Sequence, residues 1–124
     1  TMNADFMRRY YRCYNSEDPQ ALRDFYHDEV ELTNGSVRIG GIEELMSTYS
    51  NMMQQFHDKM TPLFIQENDD SVLVEIEDRL TAKSDIDDVL GKSLAAGEHT
   101  TLRLRGIYGF QGRKIRTIDL TQSD

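Results

Sequence analysis

At residue 58 the hydrophobic period of this chain changes from that of a helix to that of a strand. Upstream, Ile42, Leu45, Met46, Tyr49, Met52, Met53 and Phe56 recur at helical spacing. Such spacing lines one face of a helix with apolar side chains. Downstream, Val72, Val74, Ile76 and Leu80 alternate with Glu75, Glu77 and Arg79, as on a strand with one buried face. A chain that gathers its helices before a run of strands is built as α+β.

The remaining elements follow the same logic. Phe6, Tyr10 and Cys13, with Met7 and Tyr14 beside them, predict a first helix. Asp18-Pro19 reads as an N-cap followed by proline at the first helical position, where its missing N–H has no partner to lose. Ala21, Leu22, Phe25 and Tyr26 supply the buried stripe of this short second helix. Val30 and Leu32 alternate with Glu31 and Thr33 in a short strand, and Asn34-Gly35 is a turn signal. Gly40-Gly41 breaks the chain before the third helix. Strands are expected over Met60–Glu67, Ser71–Ala82, Thr100–Phe110 and Lys114–Thr121, with a polar connection at 83–97. The expected architecture is three N-terminal helices packed on a strongly curved, mainly antiparallel sheet, an α+β cone with an apolar interior.

Composition narrows the function. The chain has 124 residues, enough for one core without staples. Thr1 before Met2 reads as a residue left by expression, and residues 2–124 are expected to form one domain. Fourteen Lys and Arg against 22 Asp and Glu give a net charge of −8. That opposes contact with a phosphate backbone, so no nucleic-acid partner is expected, despite the arginines at 103, 105, 113 and 116. Cys13 is the only cysteine, which excludes an intrachain disulfide and fits a reducing compartment. With no secretory leader or membrane-length apolar run, the expected location is the cytoplasm. His27, His57 and His99 lie far apart in sequence and form no close ligand pair. Neither a metal nor a cofactor site is expected.

Asp78 is the most informative single residue. It falls in the series Val72, Val74, Ile76, Asp78, Leu80, whose other members are all apolar. Its carboxyl is therefore expected to point inward, where an unpaired charge costs several kcal/mol and the group finds a partner or keeps its proton. The competing outcomes are a bulge that returns it to water, or a structural tyrosine or arginine partner. Tyr10, Tyr14, Tyr26, Tyr49 and Tyr108 can each place a hydroxyl inside the cone. The methionines of the third helix, Met53 among them, pack the core and can shape an adaptable pocket.

The segment FMRRYYRCYNSEDPQALRDFYHDEVELTNG and the segment LGKSLAAGEHTTLRLRGIYGFQGRKIRTIDL together resemble the nuclear transport factor 2-like superfamily. The likeness is to its SnoaL-like and ketosteroid-isomerase-like members. It implies a cone-shaped α+β fold, frequent dimers, and functions ranging from isomerases, cyclases and epoxide hydrolases to non-catalytic binding modules. The family's isomerases use a tyrosine and a protonated aspartate as oxyanion hole, and a second aspartate as base. Matched without gaps from Phe6 to Gly35, Tyr10 falls on that tyrosine and Asn34 on the base. The final hairpin puts Gly106 on the oxyanion-hole aspartate. One of three roles survives, so steroid isomerisation by that set is not expected. The epoxide hydrolases use an Arg-x-Asp pair, whereas Asp78 and Arg79 here are adjacent. SnoaL-type cyclases carry an acidic residue on a late strand, the region of Asp119, whose face depends on register.

The expected site therefore has Asp78 and Tyr10 as catalytic residues. Asn34, Tyr14, Tyr49, Met53, Tyr108 and Asp119 are the substrate-binding candidates. The expected ligand is a small apolar molecule in the cone. A homodimer is expected through the outer face bearing Thr101, Arg103, Arg105 and Ile107. The expected function is a small-molecule pocket, open to general acid–base chemistry by an isomerase, cyclase or hydrolase, with a non-catalytic binding or dimerisation module as the alternative.

Overall fold

The computed structural model describes residues 2–123. In chain order the elements are α1 (Met2–Asn15), α2 (Pro19–Arg23), β1 (Tyr26–Asn34), β2 (Val37–Gly40), α3 (Ile42–Gln55), β3 (Phe56–Glu67), β4 (Ser71–Ala82), β5 (Ile86–Val89), β6 (Lys92–Leu94), β7 (His99–Gln111) and β8 (Lys114–Ser123). Six strands form one sheet in the order β2-β1-β8-β7-β4-β3, and β5 and β6 form a separate two-stranded sheet. The fold is an α+β cone, helices against a mostly antiparallel, curled sheet. The exception to antiparallel pairing is β1 beside β8.

The alternation in β4 translates directly into packing. Val72, Val74 and Ile76 are fully buried, and such side chains each contribute roughly 1.5–3 kcal/mol by leaving water. Ile42, Leu45, Met46, Tyr49 and Met53 of α3 are buried against them, within one core. In α1 the buried line is Met7, Tyr10, Tyr11 and Tyr14, while Phe6 and Cys13 are half-buried. The stripe is thus turned toward Tyr11 from the one expected. The Asn15 side chain continues the ladder of β3, donating to Met60 O at 2.9 Å and accepting from Met60 N at 2.8 Å. It thereby covers part of an otherwise open sheet edge.

Several boundaries differ from expectation. Asp18 caps α2 through Ala21 N as expected, but the helix stops at Arg23, Ala21 is exposed, and Tyr26 opens β1. Phe56, the last residue of the helical stripe, opens β3. Strand β2 and the β5–β6 hairpin lie where connections were expected. Short strands of three or four residues carry too little alternation to stand out from a polar loop.

Candidate functional site

Two carboxyls stand at the floor of the cone. Met60 pairs with Asp78 and Asp58 with Leu80 between β3 and β4, so Asp58 and Asp78 are diagonal neighbours on the inner sheet face. Asp58 is only 3% exposed and Asp78 5%. Tyr14 donates its hydroxyl to Asp58 Oδ2 at 2.7 Å. Tyr49 donates to the Tyr14 carbonyl at 2.7 Å, tying α3 to α1 above the pair. Asp58 Oδ1 and Asp78 Oδ1 are buried without a hydrogen-bond partner.

This arrangement sets the protonation. Burial, followed by hydrogen bonding to Asp58 and the charge of Asp58, holds the Asp78 carboxyl far above the usual carboxylate range. Burial, then the charge of Asp58, holds the Tyr14 phenol well above its ordinary value, so it remains a donor. Asp58 is the acceptor of the group, and Asp78 keeps its proton at neutral pH.

The carboxyls open into a cavity of about 340 Å³, at the small end of the roughly 300–1,000 Å³ typical of ligand sites. Tyr14, Asn34, Thr48, Tyr49, Asp58 and Asp78 supply its polar groups. Leu32, Ile39, Leu45, Met52, Met60, Leu80, Leu102, Leu104 and Leu120 supply most of its walls. Val37 and Leu90 also line it, although each is 56% exposed.

The SnoaL-like domain family matches residues 7–118. The chain belongs to that family. Comparison with curated proteins finds no match. Among solved structures, a candidate polyketide cyclase from Xanthomonas campestris pv. campestris superposes with a TM-score of 0.82 at 16% identity, over 97% of this chain and 89% of that one. An LEH-like epoxide hydrolase from M. tuberculosis gives 0.78 at 14% identity, over 96% and 80%. An NTF2-like protein of unknown function from Burkholderia pseudomallei gives 0.79 at 14% identity, over 99% and 92%. At these identities the likeness is one of fold.

Within this SnoaL-like cone, Asp78, Asn34, Tyr14 and Tyr49 meet at one cavity. Four other expected residues lie elsewhere. The Tyr10 hydroxyl shares a 2.7 Å hydrogen bond with that of Tyr26, deep among aromatic rings, so Tyr10 is turned away from Asp78. Tyr108 accepts from Tyr11 at 2.8 Å and is consumed in the same packing. Met53 is buried in the main core beyond the cavity lining. Asp119 is on the outer face, accepting from Thr33 Oγ1 at 2.9 Å, because its register partner across β7 is the outward Ile107.

Gly106 has a steric reason. A Cβ there would stand 2.8 Å from Tyr108 Cε1 and 3.3 Å from Leu120 Cδ2, so the Tyr108 ring fills the space a side chain would need. Sequence reasoning missed Asp58. Its signal was present: Phe56, Asp58 and Met60 share one parity, but the expected strand began at Met60, two residues beyond it. Among the described residues, no group of three or more His, Cys, Asp or Glu side chains is placed to hold a metal ion. Nor is any helix there long and apolar enough to cross a membrane.

Proposed function

We propose that the cone binds a small, mostly apolar molecule carrying an uncharged oxygen, and that the Asp58–Asp78 pair acts on it by general acid–base catalysis. The observation that carries this reading is two neighbouring buried carboxyls, each with an unpartnered oxygen, lining one largely apolar cavity. Asp78 gives its proton to the substrate oxygen as negative charge develops there. Asp58, oriented by Tyr14, takes a proton from a substrate carbon or from an attacking water. One proton enters and one leaves, so the pair ends with its protonation exchanged and returns by exchange with solvent. Isomerases, cyclases and hydrolases share this step. Asn34 and Tyr49 orient the ligand nearer the mouth.

The test is native mass spectrometry of the purified protein for a retained ligand, followed by assay of the parent and Asp78→Asn on that ligand. The catalytic reading expects Asp78→Asn to bind and not turn over. Equal turnover by both proteins would remove Asp78 from the chemistry. Binding by both with turnover by neither favours the non-catalytic module.

The assembly we propose is a homodimer through the outer sheet face. There Arg105 meets Glu75 at 2.6 Å and Ile107 is 40% exposed. A self-complementary face of mixed polarity suits two-fold pairing. The compartment we propose is the cytoplasm, where the unpaired thiol of Cys13 stays reduced.

A further inference from the structure

The β5–β6 hairpin carries a residue that its backbone does not favour. Val89 pairs with Lys92, leaving Leu90 and Gly91 as a two-residue turn with φ of 53° and 78°. Both are left-handed, the geometry of a type I′ turn, where Asn, Asp or Gly is the usual first residue. A leucine in this conformation is a backbone outlier, and outliers of this kind gather at ligand sites. Its side chain is 56% exposed yet lines the cavity. Val37 of the β1–β2 hairpin is in the same state, exposed and lining the cavity.

The hairpin is held at its base and through its own polar bonds. Leu94 is buried with Phe56, Leu80 and Ala82, and Ile86 and Val89 pack against them. Gly91 N donates to Asp88 Oδ1 at 3.0 Å, and Ser93 Oγ to Asp87 O at 2.8 Å. The anchored base therefore presents Leu90 at the mouth rather than folding it into the core.

We propose that Leu90 and Val37 form an apolar rim that grips the far end of an elongated ligand. The site then takes a neutral molecule with an oxygen acceptor at one end, seated on the carboxyl pair, and an aliphatic chain reaching the mouth. This rests on the ligand reading above and adds the substrate class. A carboxylate of the same length is disfavoured, since its charge would be buried beside Asp58 in a largely apolar cavity.

Calorimetric titration with methyl ketones from hexanone to dodecanone tests it, using the parent, Leu90→Asn and Val37→Thr. Parent affinity should rise with chain length across the series, by up to about fourfold per methylene where the added group is fully covered. In either variant the short ketones should bind as in the parent and the gain should flatten for the long ones. Leu90→Asn should melt at or above the parent temperature, because asparagine accepts the left-handed conformation. Decanoate should bind the parent more weakly than decanone at neutral pH. Identical length dependence in all three proteins overturns the rim while leaving the cavity reading intact. If no ketone binds the parent, the cavity reading fails and the rim with it. Tighter binding of decanoate than of decanone overturns the neutral ligand class.

Discussion

Tyr14 donates its hydroxyl proton to Asp58 Oδ2 across 2.7 Å, and that one bond orders the carboxyl pair behind it. A phenol whose pKa is pushed up by burial stays a donor and needs a lone pair opposite. Asp58 Oδ2 is thereby the acceptor for Tyr14, while burial holds the proton on Asp78.

The first expectation concerns pH. The folded-state pKa of Asp78 is raised above its unfolded value, so its stabilising effect is full below the ordinary carboxyl pKa of about 3.9. That effect is lost as pH climbs from there through the folded value, at no more than about 1.4 kcal/mol per pH unit. Asp78→Asn should flatten this decline and be the more stable protein near neutrality. Urea denaturation of both proteins from pH 5 to pH 8, in about unit steps, reads the difference. Parallel stability curves would sink the assignment, as would a carboxyl-carbon titration placing Asp78 at or below the ordinary value.

Tyr14→Phe removes the hydroxyl that donates to Asp58 Oδ2, beside an Oδ1 that already lacks a partner. A loss of about 1–3 kcal/mol follows from a buried acceptor without its partner. Chemical denaturation at neutral pH measures it. Tyr10→Phe provides the contrast, because Tyr10 bonds only another hydroxyl, that of Tyr26, which can rotate. If the two variants lose stability equally, the Tyr14–Asp58 bond has no special weight.

Gly106→Ala should destabilise the fold by about 1–3 kcal/mol, the usual cost of forcing an extra carbon into a packed core. The methyl group would press on Tyr108, whose ring is buried and whose hydroxyl is held by Tyr11. Thermal melts that coincide with the parent would show that the ring moves freely.

No appreciable isomerisation of a Δ5-3-ketosteroid is expected. Tyr10 is bonded to Tyr26 and stands apart from the cavity lining, and Asn34 and Gly106 occupy the positions matched to the two aspartates. The loss of one oxyanion donor alone costs roughly 3–4 kcal/mol of transition-state stabilisation. Rapid appearance of the conjugated enone absorbance would overturn the matching of Asn34 and Gly106.

Sedimentation equilibrium at micromolar concentration should return twice the chain mass if the outer face pairs as proposed. Ile107→Glu should shift that equilibrium toward monomer without altering the melt of the monomer. A parent protein that sediments as a monomer removes the dimer.

The sequence by itself determined which face of each long element is apolar. The parity of Val72, Val74, Ile76 and Leu80 turned Asp78 inward before any fold was known, and the stripe from Ile42 to Met53 placed α3 on the core. What it did not contain is what stands opposite each face. Tyr10 and Tyr14 lie one turn apart on α1 and are equal candidates by spacing. The seating of the helix on the sheet directs one hydroxyl to Tyr26 and the other to Asp58. Asp58 meets Asp78 only through the antiparallel register of β3 and β4, a pairing between strands that neither strand encodes alone. Leu90 lines the cavity because a hairpin too short to show a period is anchored beside it through Leu94, Ile86 and Val89. Periodicity reports the partition of side chains between water and core along one element. Which polar groups share that core depends on contacts distant in sequence, and only the tertiary structure settles those.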